Sequence, residues 1–392
     1  MKTIKNSLLI SVIASIGLQL YLSLNYYQLH SLKGAGDSIC NINKIFNCSA
    51  VSASSFSNIA GIPISNIGLS LHLVLLALIV LNIFSPSSSK NRLKISLGLA
   101  SISLLGSVVM AAVSFMFLNV YCIFCIGLYI LSIIIWLLLK KLVPEFKFNI
   151  QSFFNKNFIL KPLISIAVLS FFSHILLSGP KEDKKLNKQI NFIVEEWEHG
   201  PKITLKTKPM LTMGASKKDA KITIIEFADY LCPHCKHADP QIKAFVLANS
   251  SNTRLEFYPF PLDSQCNIAM KFSRGGLTCK LTKAVFCANN QGAGWDVHRL
   301  IFDNQDYLSK SYNKSQFFLD IQKVSTKLNF NKWKACFNDS KTVEHIFEIS
   351  QAGQTAQIQG TPSFLVNNRK LSKAQFLPIL NAVKSKILEN QH

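Results

Sequence analysis

The 392-residue sequence predicts a membrane bundle of five α-helices followed by a separate α/β domain, and three observations predict it. The chain is 49% hydrophobic and only 16% charged, with mean hydropathy +0.25, too apolar for an ordinary soluble protein. The apolar residues concentrate in the first half, where five runs approach the roughly 17 to 25 residues that cross a bilayer. From about residue 205 the pattern changes to alternating strand and helix signals.

The five spans fall at about residues 7–24, 64–84, 95–117, 122–139 and 162–177. The first four hold no Asp, Glu, Lys or Arg; the fifth is short, and Lys161 at its inner end can snorkel to the headgroups. We read the first span as retained rather than cleaved as a signal peptide. It lacks a small-x-small cleavage site, and Tyr21, Tyr26 and Tyr27 form an interfacial aromatic cluster.

Basic residues in short loops mark the inner side of a membrane. Lys2 and Lys5 precede the first span, Lys90, Arg92 and Lys94 join the second to the third, and Lys140, Lys141, Lys147, Lys156 and Lys161 join the fourth to the fifth. The opposite connections carry chiefly Lys33 and Lys44, with Asp37 against them. The amino terminus is therefore expected inside, and residues 179–392 outside. All ten cysteines then fall outside or at the outer boundary, which suits an oxidising compartment. The formal net charge of +21 shows no basic stripe with interleaved aromatics, so no nucleic-acid partner is expected; membrane-facing loops account for it. There is no internal repeat.

Two CxxC pairs carry the chemistry. "CIFC", Cys122 and Cys125, opens the fourth span. Cysteine is a small hydrophobe and common in membrane helices, but a CxxC at a helix amino end sets its first sulfur near unsatisfied amides that favour the thiolate. Thiolate is the attacking form in disulfide exchange, and the second Cys resolves the mixed disulfide. A zinc site shared with Cys232 and Cys235 is disfavoured because each pair has its own setting, and no metal is expected. A further dithiol, "CNINKIFNC", supplies Cys40 and Cys48 after the glycine-containing "LKGAGDS", and "SAVSASSFSNIAGIPISNIG" follows it.

Over roughly residues 7–140 these features resemble the vitamin K epoxide reductase family: a loop Cys pair, Ser54 six residues after Cys48, Gly61 seven after Ser54, then a CxxC opening a later membrane helix. The resemblance implies a four-helix catalytic core in which Cys122 and Cys125 pass electrons to a quinone dissolved in the bilayer (ubiquinone, menaquinone or a relative), with Ser54 in support. It further implies that Tyr129, four residues after Cys125, contacts the quinone beside Cys125. One departure is clear. The quinone-binding Asn of the animal members aligns with Ile64, and nearby Asn66 is the remaining polar candidate.

In the second half, "KITIIEFADY" at 221–230 reads as a buried strand, and "CPHC" follows at once, with Cys232 at a helix amino end and Pro233 in its first turn. Much later, "IQGTPSFLVNN" sets Thr361 and Pro362 before a second strand. Strand, CxxC helix and distant Thr-Pro make the thioredoxin arrangement, in which the Thr361–Pro362 bond would be cis and face the dithiol. A zinc ribbon would need a second ligand pair at suitable spacing. "CPHC" resembles the DsbA-type oxidases over roughly residues 205–390. That resemblance implies a Cys232 thiolate stabilised by His234 and the helix amino end, and makes Glu226, six residues before Cys232, a buried acid that shuttles the proton of Cys235. Thr361 departs from the Val common in the enteric oxidase. Residues 262–350 look like a helical insertion, with "WDVHRLIFDNQ" and "FNKWKACFNDS" amphipathic; Cys266, Cys279, Cys287 and Cys336 are read as structural, with three pairings open.

The domains are expected at 1–140 (quinone-reducing membrane domain), 141–204 (fifth helix and a charged connector with Ile190, Val194 and Trp197 at helical spacing) and 205–392 (thioredoxin-like). The expected activity is a quinone-dependent thiol-disulfide oxidoreductase in a bacterial cytoplasmic membrane, its soluble domain on the periplasmic side. Client proteins with reduced cysteines would give electrons to Cys232–Cys235, which Cys40–Cys48 reoxidises and Cys122–Cys125 drains to quinone. Two alternatives stand beside it: electrons running outward, as in a reductase or isomerase, and a membrane-anchored thiol-binding chaperone without turnover.

Overall fold

Length and apolarity make the first half helical, because in hydrocarbon every backbone amide must be paired within its own segment. The computed structural model describes residues 2–32, 38–84, 89–144, 160–178 and 183–390. Lys33, Asp37, Lys147 and Lys156 lie outside the described residues, as do residues 33–37 of "LKGAGDS" and 179–182 of the connector. The chain forms two compact units, Met1–Lys184 and Lys185–His392.

In the first unit five helices are long and apolar enough to cross a membrane: α1 (Lys2–Leu29), α3 (Ile64–Phe84), α4 (Ser89–Val113), α5 (Ile123–Leu142) and α6 (Leu160–Ser178), with a short α2 (Cys48–Ala53) between the first two. Leu8 and Val12 of α1, Leu75 and Ile79 of α3, Leu97 and Ala100 of α4, and Ile135 and Leu139 of α5 form a four-helix interior. The fifth long helix, α6, packs outside it through Ile166 against Leu71 and Leu99. Leu105, Val109, Phe115, Ile130, Leu137 and Phe172 are exposed, an apolar surface that lipid would cover. A π-helical turn, Ser114–Leu118, ends α4, and Asn119 in the left-handed region (φ 53) turns the chain toward α5.

The connector forms α7 (Asp183–His199) and packs within the second unit. Ile193 and Trp197 are buried, and the Trp197 indole donates to the Val366 carbonyl at 2.9 Å. The five-stranded sheet has the order β3 (Leu211–Gly214), β5 (Thr253–Pro259), β4 (Ile222–Ala228), β6 (Ser363–Val366), β7 (Arg369–Lys370). Only β4 and β5 are parallel, joined by α8 (Pro233–Ala248); β6 runs antiparallel to β4 with Phe227 opposite Ser363. Central β4 is buried almost throughout, which its β-branched and aromatic run anticipates. The insertion comprises α9 (Leu277–Asn289), α10 (Gly294–Asp303), α11 (Gln305–Ser311), α12 (Lys314–Val324), α13 (Phe330–Asn338) and α14 (Lys341–Thr355), and α15 (Leu377–Glu389) closes the domain.

Helix begins at Leu277, well after the expected residue 262. Residues 260–276 are instead a loop wound on one carboxylate: Asp263 accepts from the amides of Gln265, Arg274 and Gly276 at 2.7–2.9 Å, and Gly275 and Gly276 take φ of +84 and +71. The four insertion cysteines pair as Cys266–Cys279 and Cys287–Cys336.

Candidate active site

The loop "CNINKIFNC" is organised by its three asparagines. Asn43 accepts from the amides of Ile45 and Phe46, both at 2.8 Å, and makes the turn. Asn47 caps α2 through the Ala50 amide at 2.7 Å, and Asn41 grips Ser49 through two hydrogen bonds. Cys40 and Cys48 are joined as a buried disulfide. A disulfide sulfur carries no proton, so the Ser38 hydroxyl, 3.2 Å from Cys40 Sγ, is the donor there. The Tyr21 hydroxyl, 2.8 Å from Ser38, then donates to Ser38.

Backbone hydrogen bonds fasten this loop to the mouth of α5. The Asn47 amide donates to Tyr121 O at 2.9 Å, and the Tyr121 amide to Ile45 O at 2.7 Å. The neighbour of Cys48 is thereby bonded to the neighbour of Cys122. Cys122 is the N-cap of α5, and its sulfur accepts from the Cys125 amide at 3.2 Å. It is buried, whereas Cys125, a turn further on, is half-buried, as is Tyr129.

Other expected residues of this unit have local duties. Ser54 is buried at the end of α2 and its hydroxyl donates to Val51 O at 2.7 Å. Gly61, with Ala60, makes a left-handed turn between β1 (Asn58–Ile59) and β2 (Ile62–Pro63), while Phe56 of that segment meets Phe117 at 5.6 Å between ring centroids. Asn66 is fully buried and engaged by α6: its amide donates to Ser170 O and its carbonyl oxygen accepts from Ser173, both at 3.1 Å. It secures the fifth helix.

In the second unit Cys232 is the N-cap of α8 and half-buried, with its Sγ 3.3 Å from Thr361 O; Cys235 is buried and both are free thiols. The Thr361–Pro362 bond is cis. A hydrogen bond from the Cys235 thiol is the largest stabiliser of the Cys232 thiolate. Burial opposes it, and Thr361 with the amides of Cys235 and His234 adds, leaving the Cys232 pKa lowered to about 6. Burial, with the Cys232 charge behind it, pushes Cys235 well up. His234 is exposed and contributes here through its backbone amide. The loop ahead of Cys232 is held by Asp229, which accepts from Leu231, Leu262 and Thr278, and by buried Gln305 of the insertion, which donates to Tyr230 O and Cys232 O.

Glu226 is 1% exposed on β4 and neither carboxylate oxygen has a hydrogen-bond partner. Burial, reinforced by the Asp239 charge and opposed by Lys243, raises its pKa to about 8. Burial alone would raise Asp239 as well, yet Lys243 at 2.7 Å and His298 at 2.8 Å hold it down to about 2. Burial lowers His298 to about 4, so its neutral ring donates from Nε2 to Asp239 and accepts at Nδ1 from the Tyr230 hydroxyl. Asp239, Lys243, His298 and Gln305 escaped the sequence reading because their partners are 59 to 75 residues apart, or one turn away on the CxxC helix. Tyr21 and Ser38 escaped it because an interfacial tyrosine explains itself. The three asparagines were a visible signal. Among the described residues no group of three or more His, Cys, Asp and Glu side chains could hold a metal ion.

Comparison with known proteins accounts for most of the chain in two pieces. Residues 8–139 match the model of the vitamin K epoxide reductase family, and residues 206–382 match a thioredoxin model. The chain therefore joins a vitamin K epoxide reductase-type membrane domain to a thioredoxin-like domain. Among curated relatives, Na(+)/H(+) antiporter NhaA 3 of Salinispora tropica is 24% identical over 155 residues, 39% of this chain and 21% of that protein. The chain thus spans only about a fifth of that relative's length. Disulfide bond formation protein D of Bacillus subtilis is 24% identical over 171 residues, 42% of this chain and 70% of that protein. The solved structure of BdbD from Bacillus subtilis (oxidised) has a TM-score of 0.39 at 22% identity, covering 48% of this chain and 97% of that one.

Proposed function

We propose that this chain is a disulfide-generating enzyme that oxidises client protein thiols and delivers the electrons to membrane quinone. The observation that carries the reading is the backbone docking of the Cys40–Cys48 loop onto Tyr121, which sets one disulfide beside a free dithiol at the mouth of a lipid-facing helix.

Each step exchanges one disulfide for one dithiol. A client thiolate attacks the oxidised Cys232–Cys235 pair at Cys232, Cys235 leaves, and the second client thiol displaces Cys232 to close the client disulfide. The reduced pair then gives its electrons to Cys40–Cys48, and that pair to Cys122–Cys125. Closing the last disulfide releases two electrons and two protons, which quinone accepts to leave as quinol. A Cys232 pKa near 6 stabilises the reduced form and so makes the disulfide a strong oxidant, which favours inward electron flow over a reductase. Neutral Glu226 beside the strand end is suited to hand a proton to Cys235 as it leaves and to take one back when Cys235 becomes the nucleophile.

The mouth of α5 fits a quinone. Cys125 is half-buried, Ile123, Ile130 and Phe117 are exposed, and Tyr129 offers a hydroxyl for a quinone carbonyl one turn beyond the sulfur. A client-facing second unit requires the amino terminus in the cytoplasm and the thioredoxin-like domain on the periplasmic side of a bacterial membrane, as the basic loops predict.

The test is oxidation of a two-cysteine peptide by the full chain with added quinone. Turnover is expected with quinone and not without it, and Cys125→Ala should abolish it while leaving Cys232–Cys235 reduced. Turnover in that variant would mean that the soluble pair is reoxidised by another route.

A further inference from the structure

Beside the soluble dithiol lies a cleft of about 330 Å³ whose lining includes Gln357, Gly360, Pro362, Ser363, Lys370 and Lys373. It starts at the residues flanking Thr361, the residue whose carbonyl lies 3.3 Å from Cys232 Sγ. A client joined to Cys232 would therefore lay the residues next to its own cysteine along this cleft. Its charge is one-sided. From residue 349 to 388 the chain has no Asp or Glu, but carries Arg369, Lys370, Lys373, Lys384 and Lys386. Arg369 and Lys384 are spent on the Gly200 carbonyl and Asn249, and Lys386 faces Glu198, 3.4 Å away. The two cleft lysines are exposed and, among the described residues, neither is paired with a carboxylate. Lys370 Nζ donates to Gln357 O at 3.1 Å, which ties its ammonium to the cleft wall with two further N–H donors to offer.

We propose that this cleft is a client subsite selecting acidic side chains next to the reacting cysteine. The proposal rests on the thiol-oxidase reading above. An exposed lysine–carboxylate pair is worth a factor of about two to five, so two lysines should favour an Asp-flanked client by roughly fivefold or more at low salt. The preference should fade as salt screens it.

The test is single-turnover reduction of the oxidised full chain by two-cysteine peptides that differ only in flanking residues, Asp, Ala or Lys. The expected order is Asp, then Ala, then Lys. In Lys370→Glu combined with Lys373→Glu the order should reverse, and Lys373→Glu alone should fall between. Lys217→Glu with Lys218→Glu makes the same charge change before β4, at the strand end opposite the dithiol, and should keep the original order. Equal rates for all three peptides, or the same shift from both double variants, would overturn the subsite while leaving the oxidase reading intact. Failure to oxidise any peptide would overturn both.

Discussion

The two CxxC pairs open their helices in the same way but leave opposite sulfurs accessible. In each, the first Cys is an extended N-cap (φ −102, ψ 117 at Cys122; φ −80, ψ 117 at Cys232) and the second lies three residues on. In the soluble pair the first sulfur is half-buried and the second buried; in the membrane pair the first is buried and the second half-buried. The surroundings differ in the same sense. Cys232 has the Thr361 carbonyl 3.3 Å away, beside cis Pro362, and its unit holds the buried acid Glu226, whereas residues 38–144, which contain the membrane pair, hold no Asp or Glu at all. On the proposed relay, one helix-start geometry would serve two exchanges: the unit that would meet a peptide client holds a buried acid, and the unit that would meet a quinone holds an apolar wall.

Removing the acid should give the largest effect. The pKa of Glu226 in the folded chain, about 8, exceeds the ordinary 4.5, so between these values the folded state holds a proton that the unfolded state has lost. Stability therefore falls as pH rises from 4.5 to 8, by about 5 kcal/mol in total. Glu226→Gln should relieve that loss: the second unit should gain denaturant resistance at pH 8 and little at pH 5, as read by tryptophan fluorescence, while peptide oxidation slows. A gain equal at both pH values would contradict a protonation origin.

Next comes Thr361, whose hydroxyl is buried without a partner and stands ready for the Cys232 thiolate. Alkylation of reduced Cys232 should rise with pH through a midpoint near 6 and vanish below it as the thiolate protonates. In Thr361→Val the midpoint should move up by about one pH unit or less. An unmoved midpoint would leave Cys235 and the helix amides as the whole cause.

The smallest effect belongs to the loop disulfide. Ser38→Ala removes the hydroxyl donor to Cys40, which would otherwise stabilise that sulfur when it leaves as thiolate. Exchange between Cys40–Cys48 and a reduced thiol should slow about two- to tenfold. No change would confine Ser38 and Tyr21 to holding the loop.

What the sequence makes legible here follows from range. Bilayer thickness writes each span as a local run, and "FADYLCPHC" with "GTPSF" writes a strand, a helix start and a proline turn, each local. The partners of Asp239 and Gln305, the pairing of Cys287 with Cys336 across 49 residues, and the hydrogen bonds of Ile45 and Asn47 with Tyr121 are set by tertiary packing. The late start of the insertion was hidden for a related reason, since one Asp at 263 organises amides as far as Gly276. Phe56 of the Ser54–Gly61 segment reaches Phe117 at the end of the preceding helix, but the backbone link from the cysteine loop to the mouth of α5 runs through Ile45 and Asn47.

On the proposed relay, electrons would enter the membrane pair at Cys122 from Cys48 and leave from Cys125. Without its resolving sulfur, a Cys125→Ser chain should accumulate the mixed disulfide from that transfer. Peptide mapping under non-reducing conditions should then find Cys48 bonded to Cys122, as the Asn47–Tyr121 hydrogen bond favours. A dominant Cys40–Cys122 bridge would contradict that order.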